Sequence, residues 1–405
     1  MTARPRPPAA PSAFLVVLFA SLGAFAPASV ALALPGMPAM ARELGVGPGF
    51  AEHGLAAFFA MLSVGMLIYG PLSDRWGRRP VLLCGLALYV AASAACVLAD
   101  RAEVFVAARA LQALGGAAAI VLARAIVHDL FPPVQMARML SFMVPVAALV
   151  PLLSPLLGQW LLAQGGWRPI FAVQAGFGLA CLVAAALVLA ESLPPERRRP
   201  MRPAGILAAY GAILRDRTAA GHMLCGSAVY GAMMAYVGGS PAAYMGHHGV
   251  DSARYGLLFA LGVGCVVTGA LINARLVRRW GTSALLAGGT RGAALCALAV
   301  AVVGATDVGG LPALVAALLG FLTCCGFVGS NALTNALSRC KEYAGTAAAL
   351  FGTVQFAMGG LANLTVGALS DGSPAAMGAT MAAAGALAAL GNLWSRGGAA
   401  HRAVP

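Results

Sequence analysis

The sequence predicts an all-α membrane protein with about twelve membrane-spanning helices in two similar halves. Three observations lead to this prediction: a very apolar composition, apolar runs of bilayer length, and short basic turns between those runs. Of the 405 residues, 60% are hydrophobic and 10% are charged, and the mean hydropathy is +0.85. An ordinary soluble protein is excluded, because a soluble domain of this length does not bury so much apolar surface.

Runs of roughly 18 or more mostly apolar residues mark helices that are long enough to cross a bilayer. The first run, Ser12–Leu34, contains Ala31-Leu32-Ala33, which also fits a cleaved signal peptide. We interpret it as the first span, because it is longer than a signal core and many spans follow. The predicted spans cover residues 12–35, 54–73, 80–99, 104–127, 139–162, 169–190, 218–244, 254–276, 283–304, 311–337, 344–369 and 375–395.

The basic residues lie mainly in the turns between predicted spans. With both termini in the cytoplasm, 20 of the 26 Lys and Arg residues fall in cytoplasmic segments, as the positive-inside bias expects. This distribution argues against nucleic acid as a partner, despite the net charge of +13, and favours contact with anionic lipid. The nine Cys residues lie mostly inside apolar runs without metal-ligand spacing, so we expect neither a metal site nor a cofactor.

A Pro- and Arg-rich connection, Glu191–Arg217, falls near the midpoint of the chain. Such a polar segment between two sets of six spans predicts a linker between two domains. We place the N-terminal bundle at residues 1–190, the cytoplasmic linker at 191–217 and the C-terminal bundle at 218–405.

An internal repeat supports this division. The segment Gly269–Gly281 is a degenerate copy of Gly70–Arg79, and Asn273 stands where the first copy has Asp74. The two copies begin 269 − 70 = 199 residues apart, which is close to half of 405. Two similar halves with matching basic turns are typical of duplicated transporters.

The first copy of the repeat, Gly70–Pro80, places four charges between two uncharged apolar runs. Charges cannot lie in hydrocarbon, so this stretch is predicted to be a tight turn at the membrane surface. Asp74 and Arg78 are four residues apart and can pair if the preceding helix extends through them. Gly70 and Gly77 are predicted to allow close helix approach and a sharp reversal.

This turn resembles the connection between helices 2 and 3 of major facilitator superfamily transporters. Nearly the whole chain is similar to the drug/proton antiporters of the bicyclomycin- and chloramphenicol-resistance (Bcr/CflA) branch. The resemblance implies the major facilitator fold, with about 12 helices in two pseudo-symmetric six-helix bundles. It also implies that Asp74 faces the start of helix 11 and that Arg78 pairs with Asp129 at the end of helix 4.

In the family, such an ion-pair latch holds the outward-facing state and breaks on inward opening. A basic turn that only fixes topology is the alternative. The predicted conformational-switch residues are Gly70, Asp74, Arg75, Gly77, Arg78, Arg79, Arg124 and Asp129.

Arg109 and Gln112 lie inside the fourth predicted span. A charged side chain there is costly unless it meets a partner or a wet cavity. The stretch resembles the Arg-x-x-Gln-Gly motif of helix 4 in the family, which lines the cavity and is tied to proton coupling. We therefore predict a coupling role for both residues, with snorkelling of Arg109 to the membrane surface as the alternative.

Pro151, Pro155 and Gly158 lie in the fifth predicted span. They resemble the exporter motif of helix 5, in which Pro and Gly bend the helix and let it pack on helix 8. The Gly-Gly end of that motif is degenerate here, since Gln159 follows Gly158. An ordinary structural role is the alternative, because Pro is common in membrane helices.

Polar residues also interrupt the apolar runs of the C-terminal half. Several resemble helices 7, 10 and 11 of the resistance branch, and we predict that they line the substrate cavity. Interhelical hydrogen bonds are the alternative. Arg291 is a candidate buried charge without an acidic partner nearby in sequence. The predicted cavity residues are Tyr236, Arg291, Asn331, Asn335 and Gln355.

The chain departs from the family in helix 1, where relatives carry an acid and this sequence has Ala31. A proton-coupled transporter needs a group that takes up and releases protons in its cavity. All 13 acidic residues fall at predicted span ends or in loops, and Glu52, Asp74 and Asp129 are possible substitutes. The missing acid favours neutral or weakly anionic substrates over cations.

The sequence therefore predicts a secondary active exporter of small amphipathic drugs or antibiotics that works by alternating access and is coupled to protons. Its predicted partners are a small-molecule substrate, protons and the lipid of a bacterial inner membrane, and we expect a monomer. Export of an amino acid, peptide or siderophore by the same fold is the alternative. The sequence supports neither a membrane enzyme nor an ATP-driven pump, because no catalytic set or nucleotide-binding loop occurs.

Overall fold

A computed structural model of the chain describes residues 13–47, 50–131, 149–150, 153–198, 203–340 and 344–400. These residues form helices joined by short turns, and no β-strand occurs among them. The α-helices are α1 (Ala13–Gly23), α2 (Phe25–Ala31), α3 (Met37–Glu43), α4 (Phe50–Trp76), α5 (Arg78–Val97), α6 (Ala102–Leu130), α7 (153–165), α8 (Arg168–Val188), α9 (Pro203–Arg215), α10 (Arg217–Pro241), α11 (Ser252–Thr306), α12 (Gly310–Arg339), α13 (Ala344–Leu369) and α14 (Ala375–Ala400).

Within the described residues, eight helices are long and apolar enough to cross a membrane, and the bent pair at the N-terminus brings the number to nine. The 55-residue α11 is interrupted at Gly281 and therefore forms two spans. The 25-residue α10 and the shorter α7, described from residue 153 onward, are not among these eight or nine helices. The all-α membrane fold class predicted from hydropathy is confirmed.

The first span is longer and more bent than the sequence pattern suggests. The helix over residues 13–23 and the helix over residues 25–43 meet at an angle of 54°. A short 3₁₀ turn, Leu34–Gly36, interrupts the second part. Pro35 lies in this turn, and Pro removes a backbone hydrogen bond that a continuous helix would need.

Both halves contain the same break in the backbone. Gly77 separates α4 from α5 with φ 101° and ψ 154°, and Gly281 interrupts α11 with φ 74° and ψ 163°. Each Gly follows an exposed Trp, Trp76 or Trp280. Because Gly alone adopts such positive φ angles without strain, the Trp-Gly pair is a repeated turn and reflects the pseudo-symmetry of the halves.

Among the described residues, the two halves pack against each other mainly through α4 and α13. The Ser63 hydroxyl donates a hydrogen bond of 2.9 Å to the carbonyl oxygen of Thr353. One side of this contact holds Phe59 stacked on Phe356, with ring centroids 6.2 Å apart. An added Cβ at Gly360 would lie 3.2 Å from the backbone oxygen of Ala56, so this small residue permits close helix approach.

Within each half, Gly residues bring neighbouring helices together. An added Cβ at Gly115 of α6 would lie 2.6 Å from the carbonyl oxygen of Gly85 of α5. In the C-terminal half, an added Cβ at Gly326 of α12 would lie 2.7 Å from the carbonyl carbon of Gly269 of α11. Close backbone contact is the usual way in which membrane helices associate.

Candidate functional site

Arg78, at the start of α5, connects its own helix to α4 and α6. Its guanidinium lies 2.6 Å from Asp74 of α4 and 3.0 Å from Asp129 of α6. The Ser73 hydroxyl accepts a further hydrogen bond of 2.6 Å from Arg78 Nη1. The structure therefore brings together the three charged residues of the predicted latch. Their role in switching remains a prediction.

Glu191, which sequence reasoning did not assign to this cluster, supports the same corner. Its carboxylate accepts hydrogen bonds from the backbone amides of Arg78, at 2.9 Å, and Arg79, at 3.3 Å. It thereby satisfies two of the free N–H groups at the start of α5. An added Cβ at Gly77 would collide with this carboxylate. In the sequence, Glu191 is only an acidic residue at the start of the linker. An acid in such a polar segment is ordinarily explained by contact with solvent.

The other predicted switch residues have different surroundings. An added Cβ at Gly70 would meet no described atom within 4 Å, so the close helix approach predicted there stays a prediction. Arg79 donates a 2.7 Å hydrogen bond to the Ala186 carbonyl, and Arg75 is exposed beside the ring of Trp76. Arg124 is exposed and forms no ion pair with any described acid. The predicted partner of Asp74, the start of helix 11, corresponds to the beginning of α13, and the first side chains there lie outside the described residues.

Arg109 is buried in the N-terminal half, with 2% of its surface exposed. It donates hydrogen bonds to Gln112 Oε1 and, at 3.4 Å, to the carbonyl oxygen of Ser29. Its guanidinium lies 4.5 Å from the ring centre of Phe58 and 5.5 Å from that of Phe171. The snorkelling alternative is therefore wrong, because the charge points into the bundle and is stabilised by aromatic faces.

Gln112 extends this cluster into a network. Its amide nitrogen donates 2.7 Å hydrogen bonds to the Ser93 hydroxyl and to Gln174 Oε1. Gln174 donates in turn to the Ser29 carbonyl at 3.3 Å, and the Ser29 hydroxyl lies 2.7 Å from the Tyr89 hydroxyl. No acidic side chain belongs to the network among the described residues. The sequence signal for the missed members was weak, since isolated Ser, Tyr and Gln residues are common in membrane helices.

The predicted exporter motif of helix 5 is only partly visible. Pro151 lies outside the described residues, and Pro155 is buried. Gly158 packs against the backbone of Leu32, just before the 3₁₀ turn of the first span, since an added Cβ would collide with the Leu32 carbonyl. Leu156 of the same helix lies beside Gly256 of α11, 3.3 Å from the position of an added Cβ. The close approach at Gly158 is therefore to the first span.

The polar residues of the C-terminal half mostly bond to one another. Asn331 of α12 donates a 2.7 Å hydrogen bond to Asn273 of α11, the residue that replaces Asp74 in the repeat. Asn335 accepts a hydrogen bond of 2.6 Å from the Thr282 hydroxyl. These contacts match the alternative of interhelical hydrogen bonds, although Asn335 also lines a cavity between α10, α11, α12 and α14.

Three further predicted cavity residues have distinct surroundings. Tyr236 is 3% exposed and stacks on Phe259, with ring centroids 5.9 Å apart. Gln355 is half-buried on α13. The interpretation of Arg291 as a buried charge is wrong, because its side chain is exposed.

A cavity of about 520 Å³ lies between the two halves, at the end of the molecule opposite the Arg78 cluster. Apolar side chains dominate its wall, and the N-terminal half also contributes Arg42 and Glu52. Glu52 is 2% exposed and is the one buried carboxylate among the described residues. The sequence did not indicate that Glu52 is buried, because the residue lies at the end of a predicted span. The lining residues include Met37, Phe50 and Leu162 from one half and Gly238, Pro241 and Met245 from the other.

Two pseudo-symmetric helical bundles with a cavity at their boundary define a membrane transporter of small molecules. The model of the Major Facilitator Superfamily matches residues 14–363. The chain belongs to this family, as the resemblance of its motifs predicted.

Curated relatives match most of the chain. A bicyclomycin resistance protein homolog of Haemophilus influenzae is 29% identical over 396 residues, covering 95% of this chain and 99% of the relative. A chloramphenicol resistance protein of Pseudomonas aeruginosa is 32% identical over 368 residues, covering 87% of this chain and 81% of the relative. An uncharacterized MFS-type transporter of Bacillus subtilis is 31% identical over 384 residues, covering 94% of each.

Solved structures confirm the fold. The crystal structure of a D-xylose-proton symporter superposes with a TM-score of 0.72, covering 94% of this chain and 97% of the symporter. Its sequence identity is 17%, so it shows the fold alone.

Proposed function

We propose that the protein exports small, neutral, amphipathic drugs or antibiotics across a bacterial inner membrane by alternating access. One observation carries the proposal: an apolar cavity at the boundary of the two halves, in a chain similar to resistance proteins over nearly its whole length. Met, Phe and Pro side chains on the cavity wall offer adaptable apolar contact. Arg42 and Glu52 are opposite in charge, so the wall has no strong preference for ions of one sign.

The export cycle is coupled to protons through Glu52. Ala31 replaces the helix-1 acid, and the Arg109 network has no acidic member among the described residues. Glu52 faces the cavity, where a charged carboxylate is costly without a partner or water. It would therefore bind a proton when the cavity closes and release it when water enters. Arg42 lies on the same wall, and His53 follows Glu52 on α4. The charges of these two residues would influence how readily Glu52 binds and releases its proton.

The cluster of Asp74, Arg78 and Asp129 acts as the latch of one conformational state. The support is geometric: Arg78 bonds to acids on both α4 and α6, so it holds together the helix ends from which Asp74 would meet the start of helix 11 in the other bundle. Glu191 keeps the start of α5 in position while this happens.

The molecule works as a monomer, with residues 1–190 and 218–405 as the two moving bundles and 191–217 as the linker. Both termini lie in the cytoplasm. The support for this orientation is the concentration of Arg in the segments at the Arg78 end.

The export proposal is tested by expression in a strain that lacks its major efflux pumps. We expect increased tolerance of at least one small neutral drug, together with lower accumulation of that drug, relative to an empty vector. Unchanged tolerance and accumulation across the panel would refute drug export. Tolerance limited to toxic analogues of amino acids, peptides or siderophores would favour metabolite export instead.

A further inference from the structure

Two His residues and one Asp meet at the end of the C-terminal half that holds the cavity. His247 ends a π-helical turn, Ala242–His247, that follows α10, and His248 comes next. Asp307 lies across from them, directly after α11. The distance from His247 Nε2 to Asp307 Oδ2 is 3.9 Å, and that from His248 Nε2 to Asp307 Oδ1 is 4.0 Å. All three ligand atoms lie within 4.8 Å of one another.

These distances are too long for direct hydrogen bonds, in which nitrogen and oxygen are about 2.7–3.2 Å apart. A Zn²⁺ ion lies about 2.0–2.2 Å from an imidazole nitrogen or a carboxylate oxygen. A Zn²⁺ ion placed between the two imidazole nitrogens and the carboxylate oxygen could therefore contact all three. Each side chain would need to move by roughly half an ångström.

The environment of His248 also indicates a missing ligand. Its side chain is 11% exposed, and Nε2 is buried without a hydrogen-bond partner among the described residues. A buried polar atom of this kind normally has a partner, because leaving it without one costs free energy. His247 and Asp307 are more open to solvent, at 36% and 59% exposure, so water can complete a coordination shell.

The backbone at Asp307 holds its carboxylate in this position. Asp307 adopts a left-handed conformation with φ 53°, and it is the one residue other than Gly with positive φ among those described. Asp and Asn tolerate this conformation better than most residues. A second carboxylate, Asp371 between α13 and α14, interacts electrostatically with His247 and adds negative charge nearby.

We propose that His247, His248 and Asp307 form a Zn²⁺ site with three protein ligands and an open position for water. Two imidazoles and one carboxylate are a ligand set that Zn²⁺ accepts, whereas Ca²⁺ and Mg²⁺ prefer oxygen ligands. The site ties the turn after α10 to the corner between α11 and α12. Met245 and Gly246, which precede the two His residues, line the cavity, so a bound ion holds one edge of the cavity rim in place.

The test measures Zn²⁺ binding to the full-length protein, purified in detergent through an affinity tag that contains no His. We expect saturable binding of one Zn²⁺ per chain, with no competition from Mg²⁺ or Ca²⁺. His247→Ala, His248→Ala and Asp307→Asn should each weaken binding about tenfold or more, since even residues that only orient metal ligands contribute this much. Zn²⁺ should also raise the Tm of the wild type, because it binds the folded state.

His128→Ala is the matched control. His128 lies 3.9 Å from Asp129 in a similar pair at the other end of the molecule, without a second His. This variant should bind Zn²⁺ as the wild type does. Asp307→Asn keeps the size and the left-handed conformation of the residue, so its loss of binding would not reflect misfolding. No saturable binding by the wild type, or wild-type affinity in any of the three ligand variants, overturns the proposal.

Discussion

The side chain of Arg78 donates a hydrogen bond of 3.0 Å from Nε to Oδ2 of Asp129, and this contact links the start of α5 to the end of α6. The two side chains are 13% and 18% exposed, so water screens the pair only partly. The same guanidinium also reaches Asp74, which is 47% exposed. Water screens the contact with Asp129 less than the contact with Asp74, so variants at Asp129 give the more sensitive test of the proposed latch.

Replacing Asp129 with Asn should slow drug efflux about tenfold or more. A hydrogen bond to a charged group contributes about 1.5–3 kcal/mol, and each 1.4 kcal/mol changes the balance between two states about tenfold. The measurement is the initial rate of efflux from preloaded cells. Glu196→Gln, at an exposed acid of the linker near the same end, should transport at the wild-type rate. Equal rates for Asp129→Asn and the wild type would rule out the latch.

Replacing Gly77 with Ala should destabilise the protein by about 2 kcal/mol or more, because φ 101° with ψ 154° lies in a region that is essentially restricted to Gly and costs other residues about 1–3 kcal/mol. The added Cβ would also collide with the Glu191 carboxylate that caps α5. The measurement is the apparent Tm in detergent.

Gly70→Ala is the control for the change at Gly77. An added Cβ at Gly70, inside α4, meets no atom of the described residues within 4 Å. Ala is favoured over Gly in a helix, so the Tm of Gly70→Ala should be unchanged or higher. A similar loss of Tm in both variants would contradict this account of the turn.

Replacing Gln112 with Ala should lower both Tm and transport. The change removes the acceptor for Arg109 and the donor to Ser93 and Gln174. A buried charge that loses its partner costs several kcal/mol, so we expect a loss of about 2–4 kcal/mol in stability. Thr365→Val is the control, because the exposed Thr365 hydroxyl bonds only to its own helix. A Tm within the error of the control would show that the network contributes little.

Replacing Glu52 with Gln should uncouple transport from protons. In proteoliposomes, addition of an exported drug to the wild type should move protons, and an imposed pH gradient should accelerate export. The Gln variant keeps the shape of the side chain but cannot release a proton, so drug-induced proton movement should vanish while drug binding remains.

Glu103→Gln is the control for the change at Glu52. Glu103 is an exposed acid in the first turn of α6, and its loss should leave proton movement unchanged. Proton movement that persists in Glu52→Gln at the wild-type level would assign coupling to another group.

Much of the architecture could be predicted without coordinates. Hydropathy located the spans because a bilayer requires about 20 apolar residues in each helix. The repeat between Gly70–Arg79 and Gly269–Gly281 indicated two halves, and the breaks at Gly77 and Gly281 have matching backbone angles. The proximity of Arg78 and Asp129 followed from family resemblance, since 51 residues separate them in the chain.

Other features of the candidate site had no local signal. Glu191 and Arg78 are 113 residues apart, and nothing in either segment indicates that one caps the helix of the other. Arg291 and Arg109 both interrupt apolar runs, yet one is exposed and the other is buried. Which face of a helix points inward depends on the neighbouring helices, and in a membrane the outer face is apolar as well.

The amino-acid sequence alone determined that this chain crosses a membrane many times and that it is duplicated, and it predicts that the basic turns lie on one side. These properties depend on composition and spacing, which act through the transfer of each segment from water into lipid. Only the tertiary structure decided that Glu52 is the buried acid of the cavity and that His247, His248 and Asp307 meet at its rim. Such groupings depend on distances between remote segments, and the packing of whole helices sets those distances.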